Sequence, residues 1–151
     1  AVFLSLGIII TFIDLDQQII PDVISLPGVI IGLLLALLSG RSSITDALIG
    51  AFGGAAALFL VAFLSRGGMG GGDAKLLAMI GAFLGWQGAA AALMIGSVAG
   101  AITGLLLIAL KVIKRHDPVP FGPFLIFGAG AYLFFGEYII DFYTMLVSGW
   151  L

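Results

Sequence analysis

Apolar residues run along this chain in long unbroken blocks, at about residues 1–13, 23–39, 44–64, 74–86, 88–110 and 121–136, with a last amphipathic stretch from about 138 to 151. Blocks of this kind predict membrane helices, because a transmembrane barrel would alternate apolar and polar positions instead. The pattern therefore predicts an all-α fold: a polytopic transmembrane helical bundle with about six membrane segments, some short or broken, forming one domain over residues 1–151. Gly85-Trp86-Gln87-Gly88 is the break in the long run from 74 to 110, and Pro118, Pro120 and Pro123 interrupt the chain before the sixth segment. Ser43 and Asp46 have the spacing of a capping box ahead of the third segment, with Asp46 in the place of Glu, so a structural role is preferred there over a catalytic one.

Segments one and four are the odd ones. Each offers only about thirteen apolar residues, roughly 20 Å of helix against a hydrocarbon core of about 30 Å. Each also carries an aspartate at its end, Asp14 and Asp73. Unless segment one is simply truncated, both helices stop below the membrane surface, in a protein-lined recess that admits water. The chain begins without Met and abruptly apolar, at Ala1-Val2-Phe3, so it is expected to be cut at its N-terminus from something longer.

Composition agrees with the pattern and narrows the chemistry. With 62% hydrophobic and 9% charged residues, the chain cannot clothe a soluble domain. A net charge of -2 drawn from 14 charged side chains gives no reason to expect nucleic acid as a partner. There is no cysteine, which excludes disulfides and thiolate chemistry, and one histidine, His116, which excludes a histidine-rich zinc site. Neither a metal nor a cofactor is expected. Arg66, Lys75, Lys111, Lys114 and Arg115 fall in the loops after segments one, three and five, and only Arg41 on the opposite side. Because cytoplasmic loops retain Lys and Arg, this places the Asp14 and Asp73 loops together on the cytoplasmic face.

A carboxylate at membrane depth costs a few kcal/mol or more, so two of them at one face suggest a shared site. Two carboxyls within hydrogen-bonding range hold one proton between them, because like charges at close quarters cannot both ionise. The ionised member can then take a proton from water as it attacks a peptide carbonyl, while the protonated member polarises that carbonyl and later helps protonate the leaving amine. No Ser-His or Cys-His pair competes, and His116 sits in a basic loop, where a solvated or headgroup-facing role is preferred.

Neighbouring residues divide by helical geometry. Asp14 and Asp16, two apart, point about 200° away from each other, whereas Gln17 and Gln18 share the Asp14 face at i+3 and i+4. Asp22 follows Pro21 and is placed to cap the next helix. Lys75 is likewise turned from Asp73, so it is expected to reach toward headgroups, with substrate contact as the alternative. The glycines at 67, 68, 70, 71 and 72 form a flexible stretch over which an extended peptide can lie close, and they do not match the phosphate-cradling pattern. Gly70, Gly72, Lys75, Gln18 and Asp22 are thus the candidate substrate-binding or supporting residues beside the catalytic pair. Gly96, Gly100 and Gly104, with Gly50 and Gly54, read as close helix packing.

Three stretches resemble the signatures of the type IV prepilin peptidases, membrane aspartic proteases of the Gly-x-Gly-Asp type, in that family's order. They are Phe12-Ile13-Asp14-Leu15-Asp16 through Pro21-Asp22, Gly68-Met69-Gly70-Gly71-Gly72-Asp73-Ala74-Lys75 through Trp86, and Val119-Pro120-Phe121-Gly122-Pro123. The resemblance implies that Asp14 and Asp73 are the catalytic pair of an endopeptidase in the bacterial inner membrane. It would remove the basic leader from prepilins or pseudopilins of type IV pili or type II secretion, after a glycine at the cytoplasmic face, with the substrate's apolar helix left in the bilayer. Full-length bacterial members commonly add a cysteine-bearing zinc region and methylate the new amino terminus, and this chain shows neither that region nor its cysteines. The competing class is an ion- or proton-coupled transporter, which also places carboxylates beside broken helices. No inverted repeat is visible to support it. A scaffold whose aspartates merely cap helices is the third reading.

Overall fold

The computed structural model describes residues 2–39, 43–64, 71–114 and 119–148. These residues form five helices and no strand: α1 (Val2–Gln17), α2 (Asp22–Ser39), α3 (Ile44–Leu64), α4 (Gly71–Ala109) and α5 (Gly122–Ser148). α3, α4 and the Gly122–Asp141 part of α5 are long and apolar enough to cross a membrane, and Asp22–Leu38 is a shorter apolar helix. Phe12, Val23, Leu38, Phe52 and Phe63 stand exposed on the outside of the bundle, a surface that matches lipid tails. The fold is an all-α membrane bundle.

α4 forms its centre, packing against α3, α5 and α2, while α1 lies on α5 and α2. A straight helix of its 39 residues would measure about 58 Å, nearly twice the hydrocarbon core. Gly85 breaks it with φ 72 and ψ -175, a conformation that L side chains rarely adopt. The break therefore falls within the Gly85 to Gly88 stretch, and the fourth and fifth apolar blocks are two arms of one element. Both arms line α3: the open side of Gly54 meets Leu77 from the first arm and Ala89 from the second.

Glycine lets these helices touch through their backbones. A Cβ on Gly81 would lie 2.2 Å from the Gly50 carbonyl, and one on Gly96 would lie 2.8 Å from the Phe124 oxygen. Lipid tails are as apolar as leucine, so close van der Waals contact along such seams holds a membrane bundle together. Gly50, Gly54, Gly96 and Gly100 all have a neighbouring element within contact, as their spacing predicts. Gly104 does not: a Cβ there meets nothing within 4 Å, because the glycine interval runs past the end of the α4–α5 seam. Leu76, Leu77, Met79 and Ile80, all in the first arm, are fully buried together with Ile10, Leu58 and Leu125.

One boundary differs from the sequence reading. α5 continues to Ser148, so the stretch from about 138 is the end of that helix instead of a separate one. No proline follows Pro123 to stop it, and Gly136 is covered by the Tyr132 ring one turn earlier.

Candidate active site

Four helix ends gather at one end of the bundle: the end of α1 and the beginnings of α2, α4 and α5. α1 stops at Gln17 because Gln18 turns into the left-handed region, φ 53, with its N–H donated to the Asp14 carbonyl at 2.9 Å. For a side chain other than glycine, that turn costs about 1 kcal/mol or more. Gln18 is therefore off the helix, and the shared face with Asp14 expected from i, i+4 spacing does not form.

Asp14, in the last turn of α1, is 4% exposed. Its Oδ2 accepts the N–H of Gly122 at 3.0 Å. Gly122 is the first residue of α5, where unpaired N–H groups and the helix dipole favour negative charge. The approach requires an absent side chain, since a Cβ on Gly122 would lie 2.6 Å from that same oxygen. Asp16, two residues on, is exposed, as the helical geometry predicts for the opposite face.

Asp73 lies in the first turn of α4, half-buried, so it too stands where a helix N-terminus favours a carboxylate. Ile20 joins the two regions. A Cβ on Gly72 would lie 3.0 Å from the Ile20 Cβ, and one on Gly122 would lie 3.5 Å from its Cδ1. One buried isoleucine thus packs against the backbone beside Asp73 and against the residue that holds Asp14.

Asp22 and Lys75 have a different arrangement from the one expected. Asp22 is the first residue of α2 instead of the residue before it, and its carboxylate accepts a hydrogen bond from the Lys75 ammonium at 2.6 Å. Asp22 is accordingly not a cap, and Lys75 is turned to Asp22 instead of out to headgroups. The side chains are 35% (Lys75) and 56% (Asp22) exposed, so the pair contributes about 0–1 kcal/mol. It ties the start of α2 to the start of α4. Gly72 belongs to this cluster through Ile20, whereas Gly70, the glycines at 67 and 68, Arg41, Arg66, Arg115 and His116 lie outside the described residues. At the far end of the first α4 arm, Ser43 caps α3 by accepting the Thr45 N–H at 3.3 Å, with Asp46 in the first turn, in agreement with a structural role. Among the described residues no cluster of three or more His, Asp or Glu is placed to hold a metal ion.

Gly122 and Ile20 were not singled out from sequence. The signal for Gly122 was present in Phe121-Gly122-Pro123, where a proline just inside a helix start marks free N–H groups next to it. Nothing local marks Ile20, whose role depends on which helices meet around it.

Long apolar helices, with one carboxylate buried against a helix N-terminus and a second in another helix's first turn, define an integral membrane protein with two aspartates toward one end of its bundle. The profile of the type IV leader peptidase family matches residues 1–105, and the chain belongs to that family. It is 41% identical over 139 residues to a prepilin leader peptidase/N-methyltransferase of Aeromonas hydrophila, covering 89% of this chain and 48% of that protein. Proteins of the same description from Burkholderia pseudomallei and Pseudomonas aeruginosa are 40% and 36% identical, over 89% and 91% of this chain and 44% and 49% of theirs. The chain thus spans about half the length of these curated relatives. No solved structure matches it.

Proposed function

We propose that residues 1–151 form a single catalytic membrane domain of an aspartic endopeptidase. Its reaction is removal of the basic leader from type IV prepilins or pseudopilins at the cytoplasmic face of the bacterial inner membrane. The observation that carries this reading is the buried Asp14 carboxylate, held by the Gly122 N–H while the start of α4, with Asp73, packs on the same Ile20. Two helix N-termini thereby face one region, and each lowers the cost of a carboxylate where bulk water is scarce.

In this mechanism the ionised aspartate accepts a proton from water as the water oxygen attacks the scissile carbonyl. The protonated partner donates to the carbonyl oxygen to give a gem-diol; as the C–N bond breaks, the first aspartate passes its proton to the leaving amine and the diol hydroxyl returns one to the partner. Gly72 lets the start of α4 pack onto Ile20 beside Asp73; Asp22 and Lys75 hold the rim, and Gln18 sets where α1 ends. Family membership and relatives named as prepilin leader peptidases support the substrate class, and the positive charges counted on the Asp14 side support the cytoplasmic orientation.

The test is incubation of the purified chain in lipid with a prepilin-like peptide, followed by mass analysis of the fragments. Cleavage after the leader glycine is expected for the native chain, and cleavage about a thousand-fold slower for Asp14→Asn or Asp73→Asn. Full activity in both variants, with loss in Asp16→Asn or Asp22→Asn, would overturn the assignment.

A further inference from the structure

Away from the acidic centre, two cavities meet at Trp86. The first, of about 300 Å³, opens where α3 begins and is lined by Ser43, Asp46, Gly85, Gln87 and Tyr132 as well as Trp86. Its one charged group is the Asp46 carboxylate, beside the hydroxyls of Ser43 and Tyr132, the Gln87 amide and the Trp86 indole. The Asp46 carboxylate can only accept, and the Gln87 Oε1 already accepts from the Tyr132 hydroxyl at 3.4 Å. Among the described residues, no cation is paired with Asp46. The second cavity, of about 250 Å³, is an apolar groove between α3 and α4, lined by Gly50, Gly53, Gly54, Ala57, Ala89 and Leu93 as well as Trp86. From Ile49 to Ala57 it runs eight residues of α3, about 12 Å. That length fits within one leaflet, which is about half of a hydrocarbon core of about 30 Å.

We propose that the two cavities form one phospholipid site, with an acyl chain along the glycine-alanine groove and an amine-bearing headgroup, that of phosphatidylethanolamine, against Asp46. A polar mouth carrying a carboxylate, next to an apolar groove that shares Trp86 with it, suits a molecule that is polar at one end and aliphatic along the rest. The carboxylate selects the headgroup. A primary ammonium carries three N–H donors for Asp46 and Gln87, with the Trp86 indole beside it, whereas choline has no N–H to give and a glycerol headgroup leaves the lipid with a net negative charge facing Asp46. This site does not rest on the catalytic reading, and none of its residues belongs to the Asp14 cluster.

Native mass spectrometry of the chain released from bilayers of equal ethanolamine, choline and glycerol phospholipid tests it. The ethanolamine lipid is expected to be retained about ten-fold over the other two, the difference that charge-assisted hydrogen bonds make. Asp46→Asn should abolish the preference but not retention itself. Gly53→Leu should abolish retention of all three, and a Cβ at Gly53 meets no atom within 4 Å, so that change fills the groove without a backbone collision. Ala90→Leu, from an exposed position lining the same groove, repeats the reading independently. Equal retention of the three headgroups, an unchanged preference in Asp46→Asn, or a groove occupied by a second copy of the chain in a lipid-free dimer would overturn the proposal.

Discussion

Gly122 and Gly81 are both glycines that leave no room for a side chain, yet they meet different partners and carry different consequences. At Gly122 the missing Cβ makes way for a carboxylate oxygen, and the exposed N–H bonds to it. At Gly81 it makes way for the Gly50 backbone, with no polar exchange at all. The first contact places a charge, and the second sets the distance between α3 and α4. Small residues in a membrane bundle thus serve two ends, and the atom opposite the glycine distinguishes them: bulk at Gly81 should cost stability, and bulk at Gly122 should cost chemistry.

The largest effect should come from the charge that Gly122 places. Asp14→Asn and Asp73→Asn are each expected to lower prepilin-peptide cleavage by about a thousand-fold, within the range of lost acid–base catalysis, with melting in detergent little changed. Gly81→Val comes next, because its side chain must enter the Gly50 backbone: overpacking of about 3 kcal/mol should appear as a large fall in melting temperature. Gly122→Ala should reverse that signature. Displacing Asp14 from the α5 N–H forfeits a hydrogen bond to a charged group, so cleavage should drop by roughly ten-fold with only a small shift in melting. Equal loss of stability at Gly122 and Gly81 would erase the distinction between them.

Smaller changes sharpen the same contrast. Gly104 has the spacing of a packing glycine but open space around it, so Gly104→Ala should stabilise by about 0.8 kcal/mol through helix propensity, where Gly81→Ala destabilises. The Asp22–Lys75 pair should matter least. Removing either partner is expected to cost about 0.5 kcal/mol, measured by chemical or thermal unfolding, and the reversed pair, Asp22→Lys with Lys75→Asp, should recover it.

The all-α class, the break at Gly85 and the burial of Asp14 were legible because each rests on local pattern: continuous apolar blocks, a glycine flanked by apolar runs, an aspartate at the end of a short block. Gly104 shows where local pattern stops. Its four-residue interval is the same as that of Gly96 and Gly100, and only the position of α5 decides which of them is covered. Asp22 misled for a related reason. Its place after Pro21 reads as a cap, but the helix starts one residue earlier than a cap requires, and Lys75, 53 residues away in sequence, takes its carboxylate. Ile20 had no sequence signal, since its role arises from three helices arriving at one side chain.

The most direct measurement of whether Asp14 and Asp73 work as one unit is a cleavage-rate cycle in lipid, comparing each Asp→Asn variant with the double variant. Residues that share a single step are expected to be strongly non-additive, so the double variant should be no slower than the slower single one. Rates that multiply, with the double variant slowed by the product of the two single losses, would contradict a shared centre.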